Sequence, residues 1–286
     1  MNARLSIAAL AAALLVLFRV APGLAIINGE PDLDGHPAVG ALVFDLDGNG
    51  PLPWAGLCTG SVIGDDAFLT AAHCIDEISS PLLRWGVTLE GGAPGDPVIQ
   101  PLSFELGQLP FVRVLKPLTV VEAATVEVHP LFGQGHPRAN DLAVLIFPEG
   151  TFADVQPVDL PVPGQLDQHW MTGDLANWMY TLVGFGADLR QGDGGISFVV
   201  HGYRQVAAAP FQALTPRWLR LQTTEASTGQ GGLCRGDSGS PYLDGNTAMA
   251  LHSGAGSEVC AGGASNGTRL DTPEAIEFLS QFVGGQ

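Results

Sequence analysis

Three short segments carry an imidazole, a carboxylate and a hydroxyl, which together could cleave an acyl bond. They are LTAAHC (69–74), RANDLAVLIF (138–147) and GLCRGDSGSP (232–241). A serine hydroxyl is a poor nucleophile at neutral pH, so it needs an imidazole base, and that base needs a carboxylate to fix its tautomer. Ser238, His73 and Asp141 could supply these groups. Gly236 lies two residues before the serine, where a glycine lets the backbone turn N–H groups toward a developing oxyanion.

Taken together, in the chain order His, Asp, Ser, the three segments resemble the chymotrypsin-like (trypsin-fold) serine proteases. TAAHC and GDSGSP are specific signatures of that family, and the resemblance extends from IING at residue 26 to the end of the chain. It implies that His73 is the general base, Asp141 its supporting carboxylate and Ser238 the nucleophile, with the N–H groups of Gly236 and Ser238 as the oxyanion hole. We therefore expect a serine endopeptidase that hydrolyses peptide bonds through an acyl-enzyme.

A second class of function is a catalytically silent binding module that has kept the protease fold. Loss of one of the three reactive side chains would indicate such a module. His73, Asp141 and Ser238 are all present, and so is Gly236. The sequence therefore favours the enzyme.

The elements that must position these residues are short strands. The chain contains 38 glycines and 21 prolines, and between them lie β-rich runs such as VGALVFDL, LAVLIF and YTLVGF. Such a pattern predicts an all-β sandwich or barrel. One helix is predicted at the end of the chain, where Thr272-Pro273 can open it and Ile276, Leu279 and Val283 would share a face.

The family resemblance makes this expectation more specific. It implies an all-β fold of two antiparallel six-stranded β-barrels with a C-terminal α-helix. Residues 26–165 would form the N-terminal barrel with His73 and Asp141. Residues 166–286 would form the C-terminal barrel with Ser238 and the terminal helix, and the two together would make one peptidase domain with the site in the cleft between them. The gap of 68 residues between His73 and Asp141 is longer than is usual in the family. Residues 90–101, EGGAPGDPVIQP, are predicted to be a surface insertion of unknown role.

Residues 1–25 have the features of a signal peptide. Arg4 is followed by an apolar or small run from Leu5 to Phe18, and Gly23 and Ala25 are the small residues expected before a cut after Ala25. The run is shorter than the roughly 20 apolar residues that a membrane-spanning helix requires. We therefore expect secretion to the periplasm or the cell exterior, with no stable membrane anchor.

The charge of the chain restricts its partners. The sequence has 12 basic and 29 acidic residues and a formal charge of −17. Removing residues 1–25, which include Arg4 and Arg19 and no acidic residue, makes the charge −19. Such a surface repels nucleic acids and anionic membranes. The expected partners are protein or peptide substrates, and we expect a monomer.

Four cysteines after an export signal indicate two disulfides in an oxidising compartment. The family resemblance implies the pairs Cys58–Cys74, beside the histidine, and Cys234–Cys260, beside the nucleophile. Two further bridges that are common in vertebrate members have no cysteines here, which indicates a bacterial-type enzyme. A zinc site is disfavoured because no C-x2-C spacing occurs. We expect neither a metal nor a cofactor.

The family resemblance also identifies the pocket for the side chain that precedes the cut. Gly232 would lie at its base, where cleavage after Lys or Arg needs a carboxylate, so we expect no tryptic activity. Ser253 and Gly267 would line the pocket, and Arg235 would lie at its mouth. His252 occupies the place where glutamyl endopeptidases keep a histidine for a substrate carboxylate. The preference is therefore either for acidic side chains or, with His252 as a packed strand residue, for small or apolar ones.

The sequence LAIINGE (24–30) places two isoleucines directly after the predicted signal cut. The resemblance implies that a newly cut terminus at Ile26 folds inward, and that its α-amino group pairs with Asp237. Ile26 and Ile27 would then be apolar because the terminus is buried. Since the predicted cut falls directly before Ile26, export itself would activate the enzyme.

Overall fold

The computed structural model describes residues 26–45, 54–76, 84–101, 112–116, 119–192, 195–223, 231–255 and 263–283. The strands that precede the middle of the chain are β1 Glu30–Pro31, β2 Val39–Asp45, β3 Trp54–Gly64, β4 Ala67–Thr70, β5 Trp85–Thr88, β6 Ile99–Pro101, β7 Val112–Val114, β8 Val121–Glu122, β9 Thr125–Val128 and β10 Ala143–Ile146. Those that follow are β11 Met179–Gly184, β12 Ala187–Gly192, β13 Gly195–Val200, β14 Gln205–Leu214, β15 Trp218–Gln222, β16 Pro241–Asp244, β17 Thr247–Ala255 and β18 Ala264–Arg269. The helices are α1 Ala72–Asp76, α2 Gln165–Thr172 and α3 Pro273–Leu279, with a 3-10 helix at Asp174–Asn177.

The C-terminal strands form a closed barrel. Their order is β14-β11-β16-β17-β18-β15, and a further pairing between β14 and β15 closes the ring. Apolar residues fill its interior because alternate side chains of each strand point inward. The buried set includes Tyr180, Leu182, Leu219, Leu221, Tyr242 and Ala250. Strand β1 lies outside the ring and pairs with β14, so the start of the described chain is attached to the C-terminal barrel.

The N-terminal strands form a curled half-barrel. The order is β8-β5-β2-β3-β4-β10-β9, and β7 joins β3 to β6. Within the described residues no pairing closes this sheet into a ring. The sheet packs into a hydrophobic core that includes Leu42, Val62, Phe68, Val144 and Leu145. The all-β fold with a C-terminal helix is therefore confirmed, as a closed six-stranded barrel and a curled half-barrel. The domain boundary at residues 165 and 166 stays a prediction.

The terminal helix begins where the sequence predicts. Thr272 is the N-cap, its hydroxyl accepts a hydrogen bond from the Ala275 N–H at 3.3 Å, and Pro273 follows in the first turn. The predicted apolar face is only partly right. The helix buries Ala275, Phe278 and Leu279 and ends at Leu279. Val283 therefore lies beyond the helix. No helix in the described part of the chain has the length and apolarity needed to cross a bilayer.

The insertion at residues 90–101 is ordered and packed. Ala93 and Asp96 exchange backbone hydrogen bonds of 2.9 and 3.1 Å in a tight turn, and β6 pairs with β7. Val98 and Ile99 are buried. The turn at residues 94–96 is exposed, as a surface insertion requires, and two apolar side chains near the end of the segment give it a buried side as well.

Candidate active site

His73 and Asp141 are brought together by the pairing of β4 with β10. Ala143 is opposite Thr70 in that pairing, so the residues just beyond the two strand ends, on α1 and before β10, are neighbours. The Cys58–Cys74 disulfide joins β3 to α1 directly beside His73, which confirms the first predicted bridge. Asn140, with φ of 50°, turns the chain immediately before Asp141.

An unbroken line of hydrogen bonds joins Asp141, His73 and Ser238. Asp141 Oδ2 lies 2.7 Å from His73 Nδ1, and Oδ1 accepts the His73 backbone N–H at 2.8 Å. On the other side of the ring, His73 Nε2 lies 2.8 Å from Ser238 Oγ. An Nδ1–H held by the carboxylate leaves Nε2 as the acceptor of the serine proton. The three predicted residues therefore have the geometry of an activated nucleophile.

Asp141 is fully buried and receives donors from both halves of the molecule. Ser253 Oγ, on β17, donates a short hydrogen bond to Oδ2, and Arg138 Nη1 lies 3.6 Å from the same oxygen. Burial alone would raise the pKa of Asp141. The hydrogen bonds and charge of His73, together with the Ser253 hydrogen bond, outweigh burial and hold that pKa below its usual value. The carboxylate is therefore ionised at neutral pH.

The turn that carries Ser238 leaves two backbone N–H groups available. Gly236 has φ of 93°, a left-handed conformation that favours glycine. Its carbonyl accepts the Thr59 hydroxyl at 3.1 Å, which fixes the orientation of the following peptide. Among the described residues, neither the Gly236 N–H nor the Ser238 N–H donates to a protein acceptor. The role of these two N–H groups as the oxyanion hole stays a prediction.

Asp237 is a second fully buried carboxyl, and only backbone groups bind it within the described residues. Its Oδ1 accepts the Gly186 N–H at 2.8 Å, and its Oδ2 accepts the Cys234 N–H at 2.9 Å. Burial raises the pKa of Asp237 to about 7, against the opposing effect of these two hydrogen bonds. No room is left around it: a Cβ on Gly186 would lie 2.3 Å from the Asp237 carboxyl carbon, and one on Gly184 would lie 2.2 Å from Oδ1.

Ile26 and Ile27 are buried, as their apolar character predicts. Ile26 packs into the core of the C-terminal barrel. In this chain Ile26 follows Ala25, so its nitrogen is a peptide N–H, and it donates to Gln205 Oε1 at 2.8 Å. A pair between a free Ile26 amine and Asp237 stays a prediction.

The predicted pocket residues occupy two parts of the C-terminal half of the chain, and their assembly into one pocket stays a prediction. Gly232 is buried against Thr223, since a Cβ there would lie 2.6 Å from Thr223 Cβ. Arg235 is half-buried, and its carbonyl accepts the Ala187 N–H at 2.7 Å. His252 and Ser253 lie on β17, and Gly267 lies opposite His252 on β18.

His252 is 2 % exposed and belongs to a polar cluster that sequence reasoning missed. Its Nδ1 lies 3.0 Å from Tyr242 Oη and 2.9 Å from Ser265 Oγ, and the two hydroxyls are 2.6 Å apart. Burial, helped by the charges of His73 and Arg138, lowers the pKa of His252 to about 3, against the opposing charge of Asp141. Tyr242 fits there because Gly267 has no side chain: a Cβ would lie 2.5 Å from the tyrosine ring. The imidazole is therefore neutral.

The cysteine sulfurs of the described residues do not offer a metal site. Cys58, His73 and Cys74 approach one another closely, but the two sulfurs are bonded to each other and are not thiolates. Cys234 is also disulfide-bonded, and its predicted partner Cys260 lies outside the described residues.

Comparisons with known proteins agree with the fold. A family model described as Trypsin matches residues 42–272. HL collagenase superposes with a TM-score of 0.61 at 20% identity, over 90% of this chain and 97% of its own. Human heparin binding protein superposes with a TM-score of 0.59 at 17% identity, over 91% of this chain and 99% of its own. No curated protein matches the sequence.

The tight space around Asp237 predicts the effect of one added methyl group. In Gly186→Ala, the new Cβ would overlap a carboxyl that two backbone donors hold in place, so the variant should lose about 1–3 kcal/mol of unfolding free energy in urea denaturation. Gly254→Ala is the matched control, because a Cβ on Gly254 meets nothing within 4 Å. Equal stability of the two variants would contradict the assigned packing.

Proposed function

The chain belongs to the trypsin family, and on that premise we propose that it is a secreted serine endopeptidase that forms an acyl-enzyme on Ser238. The observation that supports this most strongly is the hydrogen-bonded line from Asp141 through His73 to Ser238, with distances of 2.7 and 2.8 Å. Both distances lie within the range that proton transfer requires.

In the proposed mechanism, Ser238 Oγ attacks the scissile carbonyl carbon while His73 Nε2 takes the hydroxyl proton. The carbonyl oxygen becomes negatively charged and accepts hydrogen bonds from the N–H groups of Gly236 and Ser238. Asp141 stays ionised and stabilises the His73 imidazolium. His73 then gives its proton to the leaving amine, and the C–N bond breaks to leave an acyl ester on Ser238. Water then attacks the ester carbonyl while His73 takes its proton, and His73 returns that proton to Ser238 Oγ as the ester C–O bond breaks and the carboxylic acid leaves.

A catalytically silent binding module is the second candidate, and one structural neighbour is named for heparin binding. Heparin is a polyanion, and this chain has a formal charge of −17. Long-range repulsion therefore opposes a ligand of that kind. A silent module would also have no need of a hydroxyl held 2.8 Å from an imidazole that a buried carboxylate orients. Both arguments favour the enzyme.

For the residue before the cut, we propose that the pocket prefers small or apolar side chains. His252 is buried and neutral, and Tyr242 and Ser265 engage its Nδ1. An uncharged, packed imidazole offers no fixed cation to a substrate carboxylate. Gly232 at the predicted pocket base offers no carboxylate to a lysine or arginine.

We also propose that activation requires a chain that begins at Ile26. The buried Asp237 has no cation beside it among the described residues, and its pKa of about 7 reflects that isolation. A free Ile26 amine would supply the cation. Because the predicted signal cut falls directly before Ile26, export would produce the active form without a separate propeptide.

Replacing the nucleophile tests the proposed chemistry. Ser238→Ala should keep its fold and lose roughly 10⁶-fold in kcat, because no acyl-enzyme can form. Ser240→Ala is the control, since it removes a buried hydroxyl that has no hydrogen-bond partner in the described residues. Peptide hydrolysis and circular dichroism would be measured on both. Full activity in Ser238→Ala would exclude the proposed role.

Peptides that differ only in the residue before the cut test the pocket. Ala, Val or Leu there should exceed Lys or Arg in kcat/KM by roughly 10- to 100-fold, because a buried cation without a partner costs about 1–3 kcal/mol. A preference for Lys or Arg would contradict the pocket assignment. A preference for Glu that disappears in His252→Gln would instead support the acidic alternative.

The pH dependence of stability tests the activation proposal on two forms of the protein. In a form with residues retained before Ile26, burial favours the protonated carboxyl of Asp237 and so raises its pKa. Its contribution should therefore fall as pH rises from about 4 to about 7. In a form that begins at Ile26, a paired amine should remove this loss, and its own contribution should instead be lost as pH rises from the ordinary pKa of an α-amine, roughly 8, through its raised value in the folded state.

Urea denaturation between pH 4 and 9 would distinguish the two forms. Asp237→Asn is the control that should abolish the difference between them. Identical pH profiles together with equal peptidase activity would contradict activation by the new terminus.

A further inference from the structure

Arg204 is one of the largest fully buried side chains of the protein, and none of the functional motifs contains it. It lies just before β14 and is 2 % exposed. Its Nε donates to Asp32 Oδ2 at 2.6 Å, and its Nη2 donates to the Leu33 carbonyl at 2.7 Å. The same guanidinium donates from Nη1 to the carbonyls of Val39 and Leu89, at 3.0 and 3.2 Å. One buried cation therefore joins several separate segments of the chain.

Residues 26–36, here called the N-terminal arm, contain the anion of this cluster. Asp32 is buried, and its carboxylate also binds the ring and the backbone N–H of His36. Burial would raise the pKa of Asp32, but the hydrogen bonds of His36 and Arg204 outweigh it and hold the pKa below its usual value. The backbone agrees, since the Asp32 N–H donates to the Arg204 carbonyl at 3.0 Å. Arg204 therefore fixes the far end of the arm.

The near end of the arm is paired with residues 231–238, here called the oxyanion loop. The Ile27 N–H donates to the Gly232 carbonyl at 2.9 Å, and the Gly232 N–H donates back to the Ile27 carbonyl at 3.1 Å. The Ile27 side chain packs against Cys234. A displacement of the arm would therefore also displace the loop that carries Gly236 and Ser238.

The insertion at residues 90–101 lies on the other side of Arg204. The Arg204 N–H donates to the Gly91 carbonyl at 2.6 Å, and the N–H groups of Val98 and Ile99 both donate to the Gly202 carbonyl. Gly202 has φ of 80°, and a Cβ there would lie 2.0 Å from the Ile99 carbonyl oxygen. The insertion is therefore fitted against the segment that presents Arg204.

We propose that Arg204 is a positioning residue for the oxyanion loop, and that the insertion at residues 90–101 exists to hold it in place. Arg204 fixes Asp32 and Leu33, the arm carries that constraint to Ile27, and Ile27 sets the position of Gly232 in the loop. The inference rests on the proposed peptidase function for its consequence in catalysis. The structural coupling itself can be measured without catalysis.

Hydrogen–deuterium exchange in the inactive Ser238→Ala background measures the coupling. Energetic coupling between sites is typically 5- to 150-fold, so Arg204→Gln should speed exchange roughly tenfold in both the arm and the oxyanion loop. Arg269→Gln is the matched control. Arg269 is also a buried arginine, 3 % exposed, and it pairs with Asp271 and Asp167 away from the arm. It should leave exchange in the oxyanion loop unchanged.

Activity per folded molecule supplies the second readout. With Ser238 restored, Arg204→Gln should lower kcat more than it raises KM, and Arg204→Lys should recover part of the loss because it keeps the charge beside Asp32. Arg204→Lys also serves the exchange experiment if Arg204→Gln fails to fold, with a smaller increase expected in the same two segments.

Two outcomes would overturn the inference. One is faster exchange in the arm with no change in the oxyanion loop, and the other is an equal effect from Arg269→Gln. A wild-type protein without Ser238-dependent hydrolysis would exclude the proposed function, whereas the exchange data would still decide whether Arg204 positions the loop.

Discussion

The buried carboxylate of Asp141 is the interaction on which the site depends. It accepts hydrogen bonds from the Nδ1 and the backbone N–H of His73, which belongs to the N-terminal half-barrel, and from the hydroxyl of Ser253, which belongs to the C-terminal barrel. A buried charge is tolerated only when it is paired and hydrogen-bonded, so removing any one of these three donors would leave the carboxylate under-satisfied. The two halves must therefore meet here, and Ser238 then lies on the free side of the His73 ring.

A second buried carboxyl, that of Asp237, organises the backbone around the nucleophile. One of its two backbone donors lies between β11 and β12, and the other lies in the oxyanion loop. The carboxyl fits there because residues 184 and 186 are glycines, whose missing side chains leave room for it. The conformation of Gly236 and the pairing of Ile27 with Gly232 then place the loop from two sides. The two carboxyls differ in protonation, because hydrogen-bond donors keep Asp141 ionised whereas burial favours protonation of Asp237.

The parts of this site that could be predicted from the sequence are those that short motifs identify. TAAHC and GDSGSP identified His73, Ser238 and the Cys58–Cys74 bridge, and the turn-rich composition identified an all-β fold. The neutral state of His252 could not be predicted, because it depends on Tyr242 occupying the space beside Gly267 on a different strand. Arg204 was missed for a similar reason: its partners are distant in sequence, and no short pattern marks a buried ion pair. The buried side of the insertion could not be predicted, because glycines and prolines dominate that segment and only Val98 and Ile99 are buried.

The most direct test of the account is detection of the acyl-enzyme itself. The protein would be mixed with an ester of a small apolar amino acid, quenched with acid during the first turnovers, and digested for mass spectrometry. The account predicts an acyl group on the peptide that contains Ser238, and its absence when His73 is replaced by alanine. Hydrolysis of the ester at full rate with no adduct on Ser238, or with an adduct on another residue, would contradict it.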